Sequence, residues 1–172
     1  NKSVVDIEYH KFYESSSETV LFNPYLIKQF KSRWYAIGIK VKNNEIRTYA
    51  LDRIMKVDVK KKKYVASKEI NLVSYFKNAF GIIAPNDEKP EKVIFTLNKE
   101  QANYITTFPL HDTQKINKSN DSHVTFEINV FITYDLVMEF LSYGDEVLVE
   151  SPKSLIKELK KMYSNSLAKY KF

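Results

Sequence analysis

The sequence predicts an α+β protein in two parts: a small SH3-like or Sm-like β-barrel over residues 1–66, then a ferredoxin-like β-α-β-β-α-β sandwich with a terminal helix over 91–172. Three observations carry this expectation. The first third of the chain consists of short alternating apolar and polar runs separated by tight-turn residues. Helical spacing begins only after position 70. A helix and a polar, proline-bounded stretch at 67–90 separate the two rhythms.

The elements follow in order. Val5, Ile7 and Tyr9 alternate with Asp6, Glu8 and His10, the period of a half-buried strand. A polar stretch at 14–18 turns the chain into a second strand at 19–30, which Pro24 should bend or place at a sheet edge. Lys31-Ser32 makes a tight connection to a third strand at 33–41, and Asn43-Asn44 turns it into a fourth at 45–51. A fifth follows Asp52-Arg53 at 54–59. In the second part, Leu72, Val73, Phe76 and Phe80 predict a helix over 71–80 with Gly81 as its stop. Beyond the linker come a strand at 93–97, a helix at 99–107, a strand pair turning at 117–121, a helix at 134–142 ended by Gly144, and a strand at 146–150. That order is the ferredoxin-like one. Pro152 suits the start of a final helix, whose Leu155, Ile156, Leu159, Met162, Tyr163, Leu167 and Tyr170 form one packing stripe.

Composition narrows the function classes. With 172 residues and 44% apolar content, the chain can bury one good core or two small ones. The absence of cysteine excludes disulfides, thiolate metal sites and a cysteine nucleophile, and agrees with a reducing compartment. No apolar run nears the ~18 residues of a membrane span, and the first residues lack the blocks of a signal peptide, so a cytoplasmic protein without membrane attachment is expected. Alternation already starts at Val5, so an N-terminal portion is expected to be missing. The net charge of +6 resides largely in lysine clusters at 60–63 and 157–171, which read as solvated faces.

Catalysis finds little support. His10, His111 and His123 show no metal-ligand spacing, three glycines cannot build a phosphate loop, and the serines at 15–17 read as turn residues. Asp145 and Glu146 are adjacent on a strand, where neighbours face opposite sides. No enzyme, cofactor or metal is expected.

Binding chemistry gathers between positions 24 and 54. Arg33 directly precedes Trp34, so a guanidinium able to hold a phosphate stands beside an indole able to stack on a base; taken alone, Trp34 reads more readily as core. Tyr35 shares a face with Ile37 and Ile39 and reads as interior. Arg47 shares parity with Tyr49 and Leu51, so it is either an anion contact at the barrel rim or the partner of Asp52 or another carboxylate. Arg53 is a candidate ligand contact, and Asp52 reads as structural, capping backbone amides. Beyond the proline bend, Lys28 and Gln29 offer donors and Tyr25 an amphipathic ring.

These same residues, Pro24 to Phe30, Arg33-Trp34-Tyr35-Ala36-Ile37-Gly38 and Arg47 to Ile54, resemble the WYL domain, a ligand-sensing module of bacterial transcriptional regulators, with Ala36 in place of the third signature letter. Pro109 to Gln114, Phe140 to Gly144 and Val147 to Pro152 are similar to the C-terminal extension such regulators carry. The resemblance implies the effector-sensing and dimerisation region of such a regulator. It would bind a nucleotide-like or single-stranded nucleic-acid effector, form a homodimer, and act on promoter DNA through a winged helix-turn-helix domain absent from this chain. His111 and Gln114 read as a turn-stabilising pair; the resemblance implies that they reach and complete a partner protomer's pocket. Two alternatives remain: a module that binds RNA or single-stranded DNA directly without effector control, and a purely structural dimerisation unit.

Overall fold

The computed structural model describes residues 2–65, 70–85 and 87–170. The chain divides into two units, Asn1–Asn71 and Leu72–Phe172.

The first unit is a five-stranded antiparallel sheet built from β1 (Ser3–His10), β2 (Ser17–Phe30), β3 (Arg33–Lys40), β4 (Glu45–Ala50) and β5 (Ile54–Lys63), in the order β4-β3-β2-β1-β5. The five strands match those expected. No ladder joins β4 to β5 among the described residues, so the described sheet is open where a closed barrel was expected. Lys31 and Ser32 both adopt positive φ, 44° and 62°, the conformation that matches a two-residue hairpin to strand twist. Pro24 sits inside a central strand, not at an edge. Its missing N–H is accommodated by a register shift between Pro24 and Leu26 against β3, which bends β2 as expected. Opposite it lies Gly38, where an added Cβ would run into the Asn23 carbonyl, so the approach of β2 and β3 requires glycine.

One face of this sheet buries Ile7, Tyr9, Val20, Phe22, Ala36 and Tyr49. Tyr49 meets Tyr9 and Phe22 edge to face, with centroids 4.9 and 5.1 Å apart. Ile37 and Ile39 are buried from the other face, while Tyr35, on their side, is half-buried. A short 3₁₀ turn, Leu51–Arg53, carries the chain from β4 to β5.

The second unit contains α1 (Leu72–Tyr75), β6 (Glu91–Asn98), α2 (Lys99–Thr107), β7 (Lys115–Ser119), β8 (His123–Val130), α3 (Tyr134–Ser142), β9 (Val147–Ser151) and α4 (Lys153–Leu167), with antiparallel strand order β7-β8-β6-β9. The sheet's inner residues, Val93, Phe95, Leu97, Val124, Phe126, Ile128, Val130 and Val149, pack with Ala102, Ile105, Leu136, Val137, Phe140, Leu155 and Leu159 of the helices. Asn98 and Thr133 start α2 and α3 by accepting the Gln101 and Leu136 backbone N–H groups. On the outer face the Thr96 and Thr125 hydroxyls bond at 2.7 Å and Thr96 donates to Glu150 at 2.6 Å, beside the exposed Leu148 opposite Thr96.

The expected helix over 71–80 is cut to its first turn, and Gly81 does not stop it. Lys77 and Ala79 close tight turns onto Ser74 and Phe76, because Asn78 is claimed elsewhere. Its carbonyl accepts from Phe131 N–H and its side chain donates to the Asn129 carbonyl. Tertiary hydrogen bonds at the end of β8 override the helical pattern.

Candidate functional site

Trp34 does not enter the core. It is 50% exposed on β3, and the exposed Gln29 is its register partner on β2. Exposure follows from position. Ala36, two residues further on, already packs beneath the Tyr49 ring system, whereas Trp34 lies beside the hairpin turn, where there is no further layer to cover it. Trp34 lines a cavity of about 270 Å³ together with Ser32, Arg33, Leu51 and Asp52. Arg33 Nε lies 3.1 Å from Asp52 Oδ2, and both side chains are well exposed. Asp52 therefore holds a guanidinium, a structural role other than the amide cap expected of it.

The three arginines expected to share one anion site do not gather on one spot. Arg47 sits opposite Gly38 on the same face as Trp34, four residues and about 13 Å along the strand. Its guanidinium pairs with Glu45 and also donates to the Ile46 carbonyl. Arg53, next to Asp52, lies over the Phe12 ring at 4.0 Å, with its Nε buried and without a hydrogen-bond partner. Arg33 and Arg53 thus flank Asp52, and Arg47 belongs to the other end of the β3–β4 hairpin.

The remaining candidates are spread. Lys28 pairs with Tyr35 and so faces away from Gln29 and Trp34. Tyr25 stacks on Tyr64 at 5.5 Å, and the Tyr64 hydroxyl donates to the Pro24 carbonyl, so this ring serves the proline bend. In the second unit Gln114 donates to the Ile105 carbonyl at 2.7 Å and accepts from Leu110 N–H, while His111 bonds Thr113 at 2.8 Å. Both carry out the turn-stabilising role. Phe12 was not singled out from the sequence, since it sits in a polar turn with no periodicity to flag it. Leu51, expected in the core beside Tyr49 from their shared parity, is instead exposed and lines the cavity.

Titration behaviour around the sheet is governed by burial and by acid–lysine pairs. Burial, reinforced by the Glu18 charge, pushes the Tyr49 hydroxyl up to about 12. Hydrogen bonds to Asp58 and Asp6 push Lys60 up to about 12. Among the described residues no cluster of His, Asp or Glu is arranged to hold a metal ion, and no helix is long and apolar enough to cross a membrane.

Comparison with known proteins adds to this geometry. A family model described as the WYL domain matches residues 1–59, and one described as the WCX domain matches residues 89–165. No curated protein matches. Among solved structures the chain is similar to proteasome accessory factor B/C (PafBC) of Arthrobacter aurescens, at 15% identity and a TM-score of 0.40, over 92% of this chain and 24% of that one. It is also similar to a CRISPR Cas-related protein, at 12% identity and a TM-score of 0.57, over 98% of this chain and 48% of that one. The chain therefore spans about a quarter of the first and about half of the second. At such identity the second likeness speaks to the fold alone.

Proposed function

Because this chain belongs to the WYL-domain family and carries the WCX domain as its C-terminal part, we propose that it is the effector-sensing region of a bacterial transcriptional regulator. Its effector is nucleotide-like or a short single-stranded nucleic acid, received at the Arg33–Trp34–Asp52 cavity of the first sheet. The observation that carries this reading is Trp34, an indole half open to solvent beside a guanidinium at the mouth of a cavity. Supporting the finer fold assignment, five short antiparallel strands joined by tight turns suit an SH3-like or Sm-like module, and the order β7-β8-β6-β9 is that of a ferredoxin-like sheet. The effector's signal passes to a DNA-binding domain through a change in how two copies associate, in a cytoplasmic protein with no catalytic role.

The exchange at Arg33 is energetically reasonable. An exposed ion pair such as Arg33–Asp52 contributes only about 0–1 kcal/mol, whereas each charge-assisted hydrogen bond to a phosphate contributes roughly 1.5–3 kcal/mol. Stacking a base on Trp34 adds about 1–3 kcal/mol. A phosphate therefore displaces Asp52 with net gain, and base and phosphate together reach micromolar affinity after the cost of association.

Trp34 is the chain's single tryptophan, so its fluorescence reports this cavity directly. Titration with nucleotides, cyclic dinucleotides and short oligonucleotides should show saturable quenching. Arg33→Ala should weaken it by roughly ten- to a hundredfold, and Asp52→Ala, which removes the competing carboxylate, should tighten it. Quenching indifferent to both substitutions would place the ligand elsewhere. A steep loss of affinity with salt and little base preference would favour direct nucleic-acid binding without effector control.

A further inference from the structure

We infer that the free edge of β5 pairs with β5 of a second copy of this chain, antiparallel and centred on Val57, which joins the two N-terminal sheets into one ten-stranded sheet. β5 ends the strand order, with β1 on one side and no described strand on the other, so one row of its backbone N–H and C=O groups is unused. Its side chains are also unusual for an edge that faces only water. Val57 and Val59 share the face of Ile7 and Val5, which are buried or half-buried, yet are themselves 54% and 64% exposed, and Met55 at the neighbouring bulge is 69% exposed.

Charge selects both the occupant and the register. In an antiparallel pair, directly opposed residues share a face. With Val57 opposite itself, Lys56 of each copy lies opposite Asp58 of the other, and Met55 lies opposite Val59. Centring on Asp58 instead sets Asp58 against Asp58 and Lys56 against Lys60, and centring on Lys56 sets that lysine against itself. Centring on Val59 sets Lys56 against Lys62 and Val57 against Lys61. Only the Val57 register gives two opposite-charge pairs, no like pair and an unbroken apolar face. Within its own sheet Asp58 lies beside Asp6, and Lys60 bridges the two acids at 2.5 and 2.6 Å. Lys56 has no ion pair among the described residues. A second copy supplies Lys56 to the acidic side of this cluster. Because the contact is two-fold it closes on itself, and the lysines at 60–63 oppose further strand addition.

The chain lacks cysteine, so Val57→Cys introduces a single thiol on the proposed two-fold axis. Oxidation should convert it to a covalent dimer, while Asp58→Cys, off the axis, should react far more slowly. In sedimentation equilibrium Lys56→Asp and Asp58→Lys should each raise the dimer dissociation constant roughly tenfold. Mixing the two variants should restore association, because each supplies the charge the other lacks. Failure of folded Val57→Cys to cross-link under oxidation overturns the proposal, even if the protein dimerises through another surface. Association unchanged by either charge reversal overturns it equally.

Discussion

The two units use apolar residues differently. In the C-terminal unit fifteen buried residues from the sheet and three helices form one cluster, centred on the fully buried Phe95, Phe126 and Phe140. In the N-terminal unit the corresponding cluster has six, no α-helix is described there, and the largest side chain, Trp34, is left half in solvent beside an ion pair. The contrast separates scaffold from sensor. The C-terminal unit gathers these phenylalanines into one large interior cluster and, of its aromatics, leaves mainly tyrosines such as Tyr104 and Tyr134 exposed. The N-terminal unit, with the smaller cluster, leaves its indole exposed beside a guanidinium with which to bind. If so, substitutions at equally large residues should divide cleanly between the units.

The largest effect is expected at Phe95. Its ring stacks on Phe126 at 5.6 Å and meets Phe140 edge-on at 5.0 Å, so Phe95→Ala should cost about 3–5 kcal/mol in urea unfolding. The loss should fall on the C-terminal unit and leave Trp34 emission in the folded state unchanged. A change in that emission would mean that the units are not separable in this way.

Gly38→Ala tests the N-terminal unit by the opposite route, adding volume instead of removing it. Its Cβ would meet the Asn23 carbonyl and the end of the Phe22 ring. The hairpin of β2 and β3 must then separate, at a cost of about 1–3 kcal/mol. Trp34 emission should now report the transition, and unfolding at unaltered midpoint would show that the strands can part there without loss.

The same contrast explains what was legible in the sequence. Strand and helix positions could be read where local pattern and packing agree: all five N-terminal strands, and the helices whose apolar stripe has a sheet to cover. They could not be read at 71–80, where an apolar spacing of helical type lost to hydrogen bonds between Asn78 and residues some fifty positions away. Among the site candidates, the adjacency of Arg33 and Trp34 was visible because it is covalent. That Arg47 pairs with a carboxylate was one of its two readings, but that the partner is Glu45, and that Asp52 instead takes Arg33, was not visible, since ion pairing at a surface depends on which rotamers strand geometry brings within reach. Gln114 shows the reverse case: its reading as a turn-stabilising residue after Pro109 holds, because the Leu110 N–H and the Ile105 carbonyl of α2 both engage its side-chain amide.

The smallest effect on stability, and the most informative for function, is expected at Trp34. Half of its surface already meets water and its strand neighbour Gln29 is exposed, so truncation removes little buried area and leaves no closed void. Trp34→Ala should therefore change unfolding free energy by less than about 1 kcal/mol, followed by far-UV circular dichroism because the fluorophore is gone. Ligand affinity, followed calorimetrically, should nevertheless fall by about fivefold to a hundredfold, the range that loss of one base–aromatic stack implies. A stability loss comparable to that of Phe95→Ala would return Trp34 to the core and dissolve the distinction between the units. Unchanged affinity would leave Arg33 as an ion-paired surface residue and its cavity without a role in sensing.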